Sequence, residues 1–241
     1  MKLKILSWNI WCGTYLDEVI KFLKTADADI IALQEVVEDE RGNLVEIIAK
    51  ELGYEYVHAI GMNMPVRFLP KYKKDDEKTI KFGTAILSKY KIVDNKIYEL
   101  VDENKRLVIG ADIKIGNETL HIFSIHLKHT HQKPSEIQDV ETENLLKLLP
   151  EKNTVVMGDF NALPESSVIK KMSQVLKNAG ENFITPTWSV FKDGCTCVTK
   201  DGEIIYQLDY IFTSKDIKTN SFKVYESKAS DHLPISAMIE I

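Results

Sequence analysis

The chain has 241 residues, 44% hydrophobic and 28% charged, with 31 Lys and Arg against 36 Asp and Glu for a formal net charge of -5. Those proportions are ordinary for a globular protein and exclude a fibrous or low-complexity chain. The acidic balance argues against coating nucleic acid by bulk charge, and leaves room for an enzyme that grips a few phosphates locally.

In chain order, short runs rich in Val, Ile, Phe and Tyr predict strands, and periodic apolar faces predict helices. A strand over Leu3–Trp8 precedes a helix over Tyr15–Thr25, with Leu16, Val19, Ile20 and Leu23 on one face. Next come a strand at Ile30–Gln34, a helix at Asn43–Leu52 stopped by Gly53, and strands at Tyr54–Ala59 and Phe82–Ser88. Strands at Leu107–Ile115 and Thr119–His126, separated by Gly116-Asn117-Glu118, read as a hairpin. Helices at Ser135–Leu149 and Ser166–Lys177 bracket a strand at Thr154–Met157, and strands at Gln207–Thr213 and Pro234–Ile241 follow. This mixture predicts an α/β protein with a mixed sheet or two sheets and helices outside. No composition shift marks an internal boundary, so residues 1–241 read as a single domain.

Between the strands, residues 63–81 show no period and read as a solvated, Lys-rich loop, or as a loop that contacts substrate. The three cysteines, Cys12, Cys195 and Cys197, are an odd set with no matching Cys or His pair, and read as free thiols rather than a zinc site. No apolar run approaches the roughly 18 residues of a membrane span. The opening Met1-Lys2-Leu3-Lys4 turns polar too early for a secretory signal. The expectation is therefore a cytoplasmic protein with no membrane and no obligate protein partner.

The informative feature is what stands at the strand ends. Asn9 closes the first strand, Gln34-Glu35 the second, His126 the hairpin, and Gly158-Asp159-Phe160-Asn161 follows Met157. Asp209 begins one late apolar run and Ser230-Asp231-His232 precedes the last. If these ends share one side of the molecule, they make a cluster of carboxylates, amides and imidazoles. Carboxylate oxygens suit hard cations such as Mg²⁺ or Mn²⁺. Imidazole N–H groups suit a phosphate on which charge is building, and a further Asp can polarise a water. Metal-assisted hydrolysis of a phosphoester is the chemistry that fits. Arg106, just before a strand, is a further candidate for phosphate contact.

These stretches resemble the endonuclease/exonuclease/phosphatase superfamily. The resemblance rests on Ser7-Trp8-Asn9-Ile10, Leu33-Gln34-Glu35-Val36, Gly83-Thr84-Ala85-Ile86-Leu87-Ser88, Ser124-Ile125-His126-Leu127, Gly158-Asp159-Phe160-Asn161, Leu208-Asp209-Tyr210-Ile211-Phe212 and Ser230-Asp231-His232-Leu233-Pro234, in that order. It implies a four-layer α/β-sandwich, two mixed β-sheets packed face to face with helices outside. It also implies roles: Glu35 as principal metal ligand with Asn9 and Asp231 beside it, and Asp159 as the residue that activates water. Asn161 would hold water and phosphate, and His232 and His126 would contact the phosphate. Asp209 would orient His232. The implied cofactor is Mg²⁺ or Mn²⁺, and the implied partner a phosphoester substrate, nucleic acid included.

Three functional readings follow. The first is a divalent-metal phosphodiesterase or nuclease-like hydrolase acting by in-line attack of an activated water. The second is an abasic-site DNA-repair endonuclease or exonuclease. It ranks lower because residues 194–207, before the late Asp209 strand, are not basic and Trp188 lies upstream of them. The third is a catalytically silent binding module.

Overall fold

The computed structural model describes residues 1–69, 73, 76–101, 106–180, 185–188, 190, 191 and 206–241. Its elements are β1 (Lys2–Asn9), a 3-10 turn (Trp11–Gly13), α1 (Leu16–Ala26), β2 (Ile30–Asp39), β3 (Gly42–Asn43), α2 (Leu44–Leu52), β4 (Glu55–Pro65), a 3-10 turn (Val66–Phe68), β5 (Thr79–Ser88), β6 (Ile92–Glu99), β7 (Leu107–Ile115), β8 (Glu118–His126), α3 (Glu136–Leu148), β9 (Thr154–Asp159), α4 (Ser167–Val175), β10 (Lys177–Asn178), β11 (Asp209–Thr213), β12 (Lys218–Val224) and β13 (Ile235–Glu240).

Apolar alternation sorts the strands into layers. Along β1, Leu3 and Ile5 point one way and Leu6 and Trp8 the other, as the two-residue period of a strand requires. Both faces are buried. Ile5, Ile30 and Ile86 meet Ile109, Ile122, Met157 and Ile211 in the space between two sheets. On the far side of the first sheet, Leu6, Trp8, Ile31 and Leu33 pack under Val19 and Leu23 of α1 and Val45 and Ile48 of α2. On the far side of the second, Phe123, Val156 and Phe212 pack under Leu145 of α3 and Val168, Ile169 and Met172 of α4. The result is the expected four-layer α/β-sandwich. Asn43 caps α2 by accepting from the amides of Val45 and Glu46, and Ser166 caps α4 by accepting from that of Ile169.

The first sheet runs β12-β13-β1-β2-β5-β4, with β3 also paired to β2, and the second β10-β11-β9-β8-β7-β6. Each sheet is mixed, and each has one parallel pair at its centre, β1 with β2 and β8 with β9. This topology gathers the polar strand ends. A parallel pair brings two C-terminal ends together, so Asn9 lies opposite Gln34, and His126 opposite Asp159. The neighbouring antiparallel strands bring their starts to the same edge: Asp209 pairs with Asp159, and β13 enters beside Ser7 just after His232.

Three expectations change. Residues 63–81 are not all loop: β4 and β5 extend into them as a paired arm, Asn63 opposite Lys81 and Pro65 opposite Thr79. Residues 70–72, 74 and 75 of this stretch, and Cys195 and Cys197, lie outside the described residues. Besides the two-residue β3 and β10, two strands had no expected counterpart, β6 and β12. Both sit at sheet edges with most of their residues exposed and none fully buried, so their apolar signal is diluted. The strand expected from Gln207 begins at Asp209. Among the described residues, no helix is long and apolar enough to cross a membrane.

Candidate active site

Local backbone devices aim each polar side chain. Glu35 sits in a bulge: Gln34 pairs with Thr84 and Val36 with Gly83, leaving Glu35 unpaired at φ 54°. An extra residue of this kind kinks the strand and redirects its side chain. Facing it in the other sheet, Gly158 lets β9 lie close against β8. A Cβ there would stand 2.0 Å from the Ile125 carbonyl oxygen, so only glycine permits the spacing that sets Asp159 beside His126. Asn161 also holds a left-handed conformation, φ 49°, with its amide nitrogen bonded to Asp159 Oδ1 at 2.8 Å.

Asn9 is the hub between the sheets. Its Nδ2 lies 3.2 Å from Glu35 Oε1, 3.1 Å from Asp159 Oδ2 and 3.5 Å from His232 Nε2. Its Oδ1 accepts from the Trp11 amide at 3.1 Å, which fixes the orientation of the side chain. The Nδ1 of His232 meets Asp209 Oδ2 at 2.9 Å, and its Nε2 stands 3.6 Å from Asp159 Oδ2. The Nε2 of His126 approaches the same Asp159 oxygen at 3.5 Å, and its Nδ1 is buried with no hydrogen-bond partner among the described residues. Arg106 donates to the His126 carbonyl at 3.3 Å. Asp231 accepts from the Trp188 indole N–H at 3.2 Å. Every residue expected at the site from the sequence is thus found at this one end of the sandwich.

The electrostatics follow from enclosure. Burial, with Asp231 nearby, pushes the Glu35 carboxyl up to about 7, against the opposing pull of His232 and Asn9. Burial likewise pushes Asp159 up to about 7, with His232 opposing and Asp209 adding to the rise. Burial alone would lower His232, but Asp209, Asp159 and Asp231 outweigh it and hold the ring up at about 10. Burial, Arg106 and His232 drive His126 well below the usual imidazole range, so that ring is neutral. The site therefore holds one charged and one neutral imidazole above a group of crowded carboxylates.

Such a donor set fits a hard divalent cation. Ligand atoms of Asp159, Asp209 and His232 all lie within 4.8 Å of one another. However, His232 is held protonated and Asp209 Oδ2 is already engaged by it and by Thr187. The carboxylates of Glu35 and Asp231 are the better match, because their mutual repulsion is what a cation would relieve.

A model of the Endonuclease/Exonuclease/phosphatase family matches residues 6–232. The chain belongs to this family. Its members are generally hydrolytic enzymes acting on phosphoesters, typically with a divalent metal. The chain is 27% identical over 188 residues to Protein angel of Drosophila melanogaster, covering 69% of this chain and 47% of that protein, and so spans about half its length. It resembles the endonuclease/exonuclease/phosphatase from Beutenbergia cavernae with a TM-score of 0.79 at 15% identity, covering 100% of this chain and 72% of that one. It also resembles the human Nocturnin catalytic domain with bound sulfate, with a TM-score of 0.75 at 18% identity, covering 99% and 93%. At these identities the two structures speak for the fold alone.

Three further residues, none of them among the expected site residues, hold this family member's site together. Thr187 Oγ1 donates to Asp209 Oδ2 at 2.6 Å and accepts from the Leu208 amide at 3.1 Å. Trp188 bridges to both Tyr206 and His232, with its ring 6.0 Å from the His232 ring. Its distance in sequence from the late strand therefore does not separate it from the site. His129 reaches Asn161 from the rim, with its Nδ1 2.9 Å from Asn161 Oδ1.

Proposed function

We propose that this chain is a divalent-metal-dependent phosphoester hydrolase of the phosphodiesterase or nuclease-like kind, with water as the nucleophile. The observation that carries the reading is the hub at Asn9. One amide within 3.5 Å of Glu35, Asp159 and His232 joins carboxylates and a charged imidazole from both sheets in a single cluster.

Each residue has a role that its surroundings support. Glu35 and Asp231 would hold Mg²⁺ or Mn²⁺, with Asn9 aligning the Glu35 carboxylate through its N–H. When bound, the cation supplies positive charge to the phosphate oxygens. Asp159, held by Asn9 and by the Asn161 amide, orients the attacking water and takes its proton. The water oxygen bonds to phosphorus in line as the bond to the leaving oxygen breaks, with no covalent enzyme intermediate. His232, charged and fixed by Asp209, donates Nε2–H to a non-bridging oxygen. Neutral His126 and the side-chain amide of Asn161 donate to the same group, and Arg106 adds charge from behind His126. Donors already in place before the reaction need no reorganisation as charge develops.

The direct test is turnover of bis-p-nitrophenyl phosphate. Hydrolysis should require Mg²⁺ or Mn²⁺ and stop on chelation. Asp159→Asn should lower kcat by about 10²–10⁴-fold with an unchanged melting temperature. No turnover of this or any other phosphoester by fully metallated protein would favour a silent binding module. A marked preference for an abasic duplex over single strands and small diesters would favour the repair reading.

A further inference from the structure

We infer that His129 is a positioning residue that fixes the side-chain amide of Asn161, with His131 holding His129 in turn. The inference rests on the role proposed above for Asn161, but its geometry does not. Asn161 Nδ2 donates to the Leu127 carbonyl at 3.0 Å. A carbonyl can only accept, so this contact decides which end of the amide is nitrogen. The oxygen end then faces His129, whose Nδ1 lies 2.9 Å away. That nitrogen must therefore carry the proton. Burial holds His129 below the usual imidazole range, with His131, His232 and Arg106 adding to the effect against the opposing Asn161 bond. In the neutral ring, Nε2 is then an acceptor, and His131 Nδ1 stands 3.2 Å from it. The order runs one way, from His131 to His129 to the Asn161 oxygen.

The surroundings keep this order rigid. The His129 ring meets His131 edge-on with centroids 4.6 Å apart, and Trp188 at 5.9 Å and 67°. Trp188 is itself fastened to Asp231. With its oxygen held by His129 and one N–H by Leu127, the Asn161 amide has a single N–H left to present to the site. Remove the His129 donor and the amide keeps only the Leu127 contact, so that N–H loses its fixed direction. The loss falls on the transition state, in which the donor must be aimed, and not on ground-state binding.

The test combines kinetics with a readout that needs no turnover. With bis-p-nitrophenyl phosphate and Mg²⁺, His129→Ala should lower kcat about 10–100-fold, the range for groups that orient a catalytic residue. Its KM should stay within about twofold, as expected when only a transition-state contact is lost. His129→Asn offers an N–H near the position of Nδ1 and should recover to within about fivefold of wild type. His129→Ala combined with Asn161→Ala should be no slower than Asn161→Ala alone. Multiplicative losses, or an Asn variant no better than Ala, would overturn the inference. Independently, a long-range ¹H–¹⁵N spectrum of the wild-type protein should show His129 protonated on Nδ1. Protonation on Nε2 alone would overturn it. If the wild type hydrolyses no phosphoester, the proposed function fails by itself and the spectrum still decides the His129 geometry.

Discussion

Two histidines of this chain meet an aspartate through Nδ1, in opposite surroundings. His121 meets Asp112 at 2.7 Å on the outside of the β7–β8 hairpin, with side chains 26% and 39% exposed. His232 meets Asp209 at 2.9 Å between the two sheets, with side chains 5% and 1% exposed. Distance alone would rank the first pair higher. The second differs in what else touches it. Asp209 also receives the Thr187 hydroxyl, and the far nitrogen of His232 faces Asp159 and Asn9. Water can replace either partner of the exposed pair, so that contact is worth little. No water can substitute in the buried one, where each member constrains the next. A carboxylate beside an imidazole is thus a catalytic arrangement only when the other nitrogen has something to act on.

Substitutions can sharpen this contrast or break it. The largest effect is expected from His232→Ala, which should lower kcat by about 10²–10⁴-fold in the diester assay. A loss under tenfold would remove the buried pair from the chemistry. Thr187→Val keeps the shape and deletes the hydroxyl that braces Asp209. Here kcat should fall roughly tenfold with KM nearly unchanged, and a rise in KM alone would mean that Thr187 serves binding. The smallest effect belongs to the surface. His121→Ala should leave turnover within about twofold and stability within about 1 kcal/mol by chemical denaturation. A loss of activity comparable to that of Thr187→Val would show that burial is not what separates the two pairs.

The sandwich was legible because its central strands are apolar on both faces. Ile5, Ile30, Ile122 and Val155 stand in short, mainly apolar stretches, and these give way to Asn9, Gln34-Glu35, His126 and Gly158-Asp159. That abrupt change marked both the strand end and the candidate residue. The edge strands β6 and β12 were not legible, since Asp94, Asn95 and Lys96 or Thr219, Asn220 and Ser221 read as loop when one face is wet. The bulge at Glu35 was equally hidden, because β2 continues to Asp39 beyond the point where its polar residues suggest an end. The contacts of Thr187, Trp188 and His129 were hidden for another reason. Each acts through one partner distant in sequence, Asp209, Asp231 or Asn161, and no periodic pattern encodes such a contact.

The pairing of β1 with β13 also bears on when the cluster can form. Asn9 and Glu35 leave the ribosome ahead of the rest of the cluster, whereas Asp231 and His232 emerge more than two hundred residues after Asn9. The Trp8 indole bonds the His232 carbonyl, and the Ser230 hydroxyl bonds the Asn9 carbonyl, so the two ends of the set are stitched directly to each other. A nascent chain therefore carries an unfinished centre until the segment holding Asp231 and His232 has been made. Whatever hydrolytic capacity this protein has is withheld until translation has passed the segment that completes it.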